Sequence, residues 1–330
     1  MAFKLLTLPI QPHIIVFYKY TLSLLFFVLS TLTYCQPIQF DTTAFQKEQL
    51  KKNRIKWVAA GNIGGYGGAM IGLYSAWYRN YPQSKFHSFN DWKEWKQVDK
   101  VGHLYGAYIE SVGSMELWKW AGMERKKRIW IGGLSGAAYQ TVIEILDGFS
   151  KDWGWSWGDF TANMIGSSLL IGQELAWNEQ RVRIKFSYHP QFYNDPVLQE
   201  RSDQLFGKNP SNRFLKDYNG QTYWASISIA PFLKETNWPN WLNIAFGYGA
   251  NGLLGGRENM ATNPGGSILF DRRDIPRYRQ WYIAPDIDWK KIPTHRAGLR
   301  FLFTFLNAFK FPAPAIELSS GKVRFHPLYF

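Results

Sequence analysis

The sequence predicts an α+β protein: an N-terminal four-helix bundle, then an antiparallel β-rich region forming a small outer-membrane-type barrel or a covered sheet. Three observations carry that expectation. Four apolar stretches of helical length fill residues 51–180. Beyond Glu179 the pattern switches to alternation, one side chain apolar and the next small or polar. Turns rich in Pro, Gly and Asn separate the alternating runs.

Residues 1–35 read as a signal peptide. Lys4 and Lys19 precede "YTLSLLFFVLSTLTYC", an apolar run too short for a comfortable membrane span. Cleavage after Cys35 puts the small residues Thr33 and Cys35 before the cut and leaves Gln36 first. An acyl chain on Cys35 is the alternative, opposed by Tyr34 where a small residue is needed. Residues 36–50 form a polar N-terminal segment, 51–180 a helical domain and 181–330 an antiparallel β-rich domain. Cys35 is the chain's single cysteine, so its loss leaves no disulfide and no thiolate ligand.

The first helical stretch, "IKWVAAGNIGGYGGAMIGLYSAWY", is uncharged from Trp57 to Tyr78, long enough to cross a bilayer. Its glycines Gly61, Gly65, Gly68 and Gly72 share one face, a pattern suited to close approach by a second backbone. A buried helix of a bundle is the other reading. The second helix is expected from Asp99 to about Ala121, the third from about Arg128 to Leu146, the fourth from Trp157 to Trp177. Strands follow in "QTYWASISIAPF", "WLNIAFGYGA", "QWYIAPDIDW", "GLRFLFTF" and "KVRFHPLYF". In the second of these, Leu242, Ile244, Phe246 and Tyr248 alternate with Asn243, Ala245, Gly247 and Gly249. Lipid-facing and lumen-facing positions of a barrel strand alternate in this way, as does any sheet packed on one face.

The net charge is +13, of which residues 182–330 contribute +8. No Lys/Arg-rich run accompanies it, so no nucleic acid is expected. Sixteen tryptophans and a basic surface point to membrane lipid or glycolipid headgroups, with other envelope proteins as further partners.

Polar residues at helical spacing interrupt the apolar helices. Asp99, His103 and Glu110 share a face of the second, with Lys100 beside His103; Gln140, Glu144 and Asp147 share one of the third; Asp159 and Asn163 share one of the fourth. A buried, unpaired carboxylate costs several kcal/mol, so these groups must face water or meet each other. Convergence inside the bundle is the expectation. Part of the set has a simpler explanation: Ser156 and Asp159 form a capping box, Asp99 is placed to cap the second helix, and Asp147-Gly148 to end the third. His103, Glu144 and Asn163 are left over. Trp153, Trp155 and Trp157 read as packing or interface anchors.

"DKVGHLYGAY", "YQTVIEILDGF" and "GWSWGDFTANMIGSS" together resemble the YfiM-like family of predicted envelope lipoproteins of unknown function, and more loosely the VanZ-like membrane proteins. The similarity covers about residues 90–180. It implies motif positions at Asp99, Lys100, His103, Glu144, Asp147, Trp155, Ser156, Trp157, Asp159, Asn163 and Gly166, and suggests a long Bacteroidetes-type form in the outer membrane or periplasm.

The expected function is a structural or assembly role in the envelope, with the polar set as a buried network. The alternative is an enzyme acting on a lipid-linked or headgroup substrate through a His103-centred acid/base site. Its candidate residues are Asp99, His103, Glu144, Asp159 and Asn163, none assigned as catalytic. A metal bound by His103, Glu144 and Asp159 would have to be a hard divalent ion, but no ligand spacing matches a strong motif. No metal or cofactor is therefore expected, and no phosphate loop, G-x-S-x-G or H-E-x-x-H is present.

Overall fold

The computed structural model describes residues 44–330, apart from 77, 81 and 234–236. The signal-peptide reading, including Cys35, and much of the 36–50 segment lie outside the described residues. Helix α1 is Ala44–Ala76, α2 Val98–Trp120, α3 Arg125–Gly148 and α4 Trp157–Trp177. Strand β1 (Val182–Tyr188) follows, then helices α5 (Pro196–Phe206) and α6 (Pro210–Lys216), then β2 (Gln221–Ser228) and β3 (Leu242–Asn251). A short hairpin, β4 (Met260–Thr262) and β5 (Ile268–Asp271), precedes β6 (Tyr278–Ile287), α7 (Ala297–Leu306), β7 (Ala313–Ser319) and β8 (Lys322–Tyr329).

Helices α2, α3 and α4 pack closely because small residues line their contacts. A Cβ added at Gly136 would sit 2.0 Å from Ala107 O, and one at Gly166 would sit 2.2 Å from Leu104 O. Ser111 Oγ lies in the gap, donating to Gly133 O at 2.7 Å and lying 3.0 Å from Ser167 Oγ. Backbones this close gain dispersion contacts along their length, and the hydroxyls satisfy one another. Tyr108, Met115, Ile129, Leu170 and Ile171 form the core beside these contacts and continue onto Ile184 of β1.

Helix α1 departs from the four-helix expectation. It touches the others through side chains, with Val58 against Trp118 and Tyr66 against Tyr139 at 5.0 Å between ring centroids. All six of its glycines face open space, with nothing within 4 Å of an added Cβ. The stripe expected to admit a second backbone has none on it among the described residues. Nor is any described helix long and apolar enough to cross a membrane. Polar Asn62, Ser75 and the glycines dilute a stretch that is uncharged but not strongly hydrophobic.

Six strands form one antiparallel sheet in the order β1-β2-β3-β6-β7-β8. It is an open sheet, so the barrel alternative does not hold, although it curls: Tyr329 and Phe330 at its far end stack on His189, just after β1. "GLRFLFTF", expected as a strand, lies in α7, where Phe303 stacks on Trp289 at 5.7 Å. Asp195 with Pro196 at the start of α5 is an N-cap signal legible in the sequence, and Asp195 Oδ1 accepts from Val197 N at 2.9 Å.

The inward face combines a buried aromatic cluster, Trp224 and Tyr282 with Tyr329 and the small residues Ala245, Ala284 and Ala315, with enclosed charges. Lys185 Nζ lies 2.7 Å from Asp286 Oδ2 with both side chains fully enclosed, and Arg183 Nε donates to Asp288 Oδ2 at 2.8 Å. The outward face is apolar. Over β1 and β2 it carries the helices, with Phe186 and Tyr223 against Tyr105 of α2. Over β3 the segment before α2 reaches Tyr248, and over the rest of β3 and β6, β7 and β8 it has no cover among the described residues, leaving Phe246, Trp281, Ile316, Val323 and Phe325 exposed.

The glycine contacts make a paired prediction. Gly166→Ala should lower stability by about 1–3 kcal/mol, since overpacking forces two helices apart. Gly68→Ala on α1 should raise it by up to about 1 kcal/mol through helix propensity alone. Thermal unfolding of the two variants checks both signs.

Candidate functional site

The segment before α2 makes the site possible. Trp95, Lys96 and Gln97 adopt left-handed backbone, with φ of 47°, 52° and 64°. Each such residue costs about 1–2 kcal/mol. External ties hold the turn: Trp95 N donates to Gly256 O at 2.7 Å, Tyr248 OH donates to Lys96 O, and Arg279 donates to Gln97. The turn returns Asp91 to the start of α2. Asp99 does not cap that helix; the N-cap position belongs to Gln97.

Lys100 is the centre of the polar cluster. Its ammonium lies 2.5 Å from Asp91 Oδ2, 2.7 Å from Asp159 Oδ1 and 3.0 Å from Asp99 Oδ2, and its side chain is 7% exposed. These carboxyls come from the pre-α2 segment, α4 and α2. Ser156 caps α4 by accepting from Asp159 N at 3.0 Å, and its Oγ donates to Asp91 Oδ1 at 2.7 Å. Half of the expected capping box is therefore present; the Asp159 carboxyl turns to Lys100 instead. Tyr218 OH donates to Asp99 Oδ1 at 2.7 Å, tying in the chain before β2.

His103 lies one turn further in. Its Nε2 is 3.9 Å from Asp99 Oδ1 and 3.8 Å from Asp159 Oδ1, and its Nδ1 is 3.6 Å from Glu144 Oε1. These are charge contacts longer than hydrogen bonds. Glu144 is fully enclosed; its Oε2 accepts from Ser156 N at 3.3 Å, while Oε1 has no hydrogen-bond partner. His103, with its side chain 20% exposed, is more open to solvent than Lys100, Glu144 or Asp159.

Protonation is set by burial and charge. Burial, then the charge of Asp99, pushes the Asp159 carboxyl up to about 9, so it holds a proton at neutral pH. Burial pushes Glu144 up to about 8, the charges of Asp159 and Asp147 adding to it against the pull of His103. Burial opposes ionisation of Asp99 too, but His103 and Lys100 beside it outweigh that and hold its carboxyl below the usual range. Asp91 is likewise lowered: burial is overcome by hydrogen bonds from Asp159, Lys100 and Ser156. One ammonium and retained protons thus balance carboxyls that burial would not allow to ionise together.

One ligand atom each of Asp99, His103 and Asp159 lies within 4.8 Å of the other two, a span a divalent ion could bridge. Asp159 Oδ1 already faces the Lys100 ammonium, and Asp99 Oδ1 accepts from Tyr218. The Lys100 ammonium is thus one cation already set among these carboxyls.

The three expected helix faces converge in part. Asp99, Lys100, His103, Glu144, Ser156 and Asp159 meet. Glu110 does not: with Gln140, which donates to its Oε1 at 2.7 Å, it forms a separate polar pair beside a cleft of about 610 Å³ also lined by Trp57, Tyr66, Trp120 and Tyr139. Asp147 accepts from Tyr78 OH at 2.7 Å, and burial raises it to about 6. Asn163 is fully enclosed with neither amide atom hydrogen-bonded. Trp155 packs on Trp157 and Phe160, each at 5.3 Å, and Trp157 is largely exposed. Asp91 and Tyr218 join the cluster without a mark in the sequence. Asp91 lies in the polar stretch "FNDWKEWKQ", where an acid in a link carries no signal, and Tyr218 is distant along the chain.

The family match covers this geometry. Residues 89–171 match the model of DUF2279, described as a predicted periplasmic lipoprotein family. The matched span takes in all the residues around Lys100 and His103 except Tyr218, starting two residues before Asp91. It supports an exported envelope protein of unknown function. No curated protein and no solved structure matches the chain.

A raised carboxyl pKa favours the folded state below the unfolded value and loses that stabilisation as pH climbs through the folded value. Glu144 should therefore make the protein less stable between about pH 5 and 8 as the pH rises. The urea midpoint should fall over that window, and Glu144→Gln should flatten the fall.

Proposed function

We propose that the polar core is a structural lock in an envelope protein with an assembly role. The observation that carries this reading is the Lys100 ammonium, shared by carboxyls from three separate segments of the chain. Each of those segments has further ties of its own, Asp91 and Asp159 to Ser156, Asp99 to Tyr218. A group so fully engaged is poorly placed to enter a reaction and well placed to fix three elements in one register.

A second reading is favoured by one feature. His103 is partly open to solvent, and its neighbours Glu144 and Asp159 retain protons near neutral pH. That combination can exchange a proton with a bound headgroup or lipid-linked substrate. It assigns His103 as the exchanging group and Glu144 as the group that orients it.

Paired substitutions separate the two. Lys100→Met should destabilise the fold by about 3–5 kcal/mol, the range for breaking a buried ion pair from one side. His103→Gln should cost less than about 1 kcal/mol, as its contacts are longer than hydrogen bonds. Denaturant unfolding of both, alongside envelope integrity of cells carrying each, is the measurement. Under the lock reading only Lys100→Met impairs cells; a folded His103→Gln protein that fails in cells supports the acid/base reading instead.

A further inference from the structure

The outward face of the sheet, where no described residue covers it, is ordered in rows. Phe246, Ile283, Ile316 and Phe325 are successive cross-strand partners over β3, β6, β7 and β8. Tyr248, Trp281, Leu318 and Val323 form the next row, and Ile244 with Pro285 a further one. Phe246, Trp281, Ile283, Ile316, Leu318 and Phe325 are each between 41% and 66% exposed. A patch this continuous is unusual on a water-facing surface.

We propose that this face contacts the hydrocarbon of a bilayer with anionic headgroups. Four features of the chain favour lipid over a protein partner. The face opposite encloses the Lys185–Asp286 and Arg183–Asp288 pairs beside its aromatic cluster, so the sheet's charges are turned away from the exposed apolar rows, as on a membrane strand. The apolar run from Leu242 to Tyr248 is about 20 Å long at about 3.3 Å per residue, close to the apolar band of about 25 Å on outer-membrane strands. Tryptophans bound it: Trp238 and Trp241 before Leu242 at one end, Trp281 against Tyr248 at the other, ring centroids 4.7 Å apart. Arg279 and Lys322, both exposed, lie past the Trp281 end, where headgroups would be, and residues 182–330 carry +8. Hydrocarbon does not tolerate a free strand edge. Strands β1 and β8 are not paired with each other, so the contact is made by this face alone and not by enclosing the sheet in the bilayer. The edge of β8 bends toward β1, where Tyr329 stacks on His189 at 4.4 Å.

The test places a fluorophore on this face of the full chain. In a Cys35→Ser background, Ile316→Cys, Phe325→Cys and Arg324→Cys are each labelled with an environment-sensitive dye. Arg324 is next to Phe325 on the same strand but on the opposite face, opposite Glu317, with its side chain exposed. With vesicles of phosphatidylethanolamine and phosphatidylglycerol, the 316 and 325 labels should shift to the blue and lose emission to lipids brominated along the acyl chain. The 324 label should do neither. Contact made only by the N-terminal apolar segment would leave all three labels unquenched, which overturns the proposal. So would blue shifts at 316 and 325 that grow with protein concentration without vesicles, the mark of a second copy on the face. Ile316→Asp combined with Phe325→Asp checks the result independently: a label at Val323→Cys should then lose its quenching, and retained quenching contradicts lipid contact through these rows.

Discussion

One buried ammonium organises the helical half. Lys100 cannot be solvated where it lies, so carboxyl oxygens must surround it, and those oxygens must come from different segments. That requirement brings Asp91 back against α2, fixes the first turn of α4 through Ser156 and Asp159, and draws Tyr218 onto Asp99. The left-handed turn at Trp95–Gln97 is conformationally costly and exists because Asp91 must reach that position. Its ties to Gly256, Tyr248 and Arg279 join the same constraint to the sheet.

Charge balance is the second consequence. A single cation cannot neutralise Asp91, Asp99, Asp159, Glu144 and Asp147 together, so the more enclosed carboxyls keep their protons. The division is set by partners as well as by depth. Asp99 and Asp91 have donors and stay ionised, whereas Glu144 has a single backbone donor and an unpartnered oxygen. His103 sits where the ionised and protonated groups meet, at the more open end of the cluster.

The sheet is apolar on its outward face as well as in its inward aromatic cluster, and the outward face links the two halves. Its apolar face serves as the floor for α2 over β1 and β2, where Tyr105, Phe186 and Tyr223 stack. The same face continues past the helices with no cover among the described residues. Polar residues that would make that face soluble are instead turned inward and paired, down to Lys185 with Asp286. Burying such pairs is seldom the most effective route to stability.

Periodicity alone determined a good deal about this chain. Helical spacing located α2, α3 and α4 to within a few residues and placed Asp99, His103, Glu144 and Asp159 on faces that had to find partners, because unpaired carboxylates cannot stay in an apolar helix. Alternation located β2, β3, β6 and β8 and showed that one face was apolar, but not which face lay inside, since period two reads the same whichever face is enclosed. "GLRFLFTF" reads as a strand yet folds as a helix because a dense apolar run suits both alike. Glu110 and Asp147 share helix faces with the convergent set yet turn to Gln140 and Tyr78, a choice made by helix rotation and the neighbours that packing supplies. Lys100 is visible in the sequence as a residue but not as the centre, because Asp91 and Tyr218 reach it and Asp99 through a turn and a long-range contact that no local pattern encodes. The sequence determined which groups needed partners; only the tertiary structure, by bringing distant segments within hydrogen-bond range, decided which partners they took.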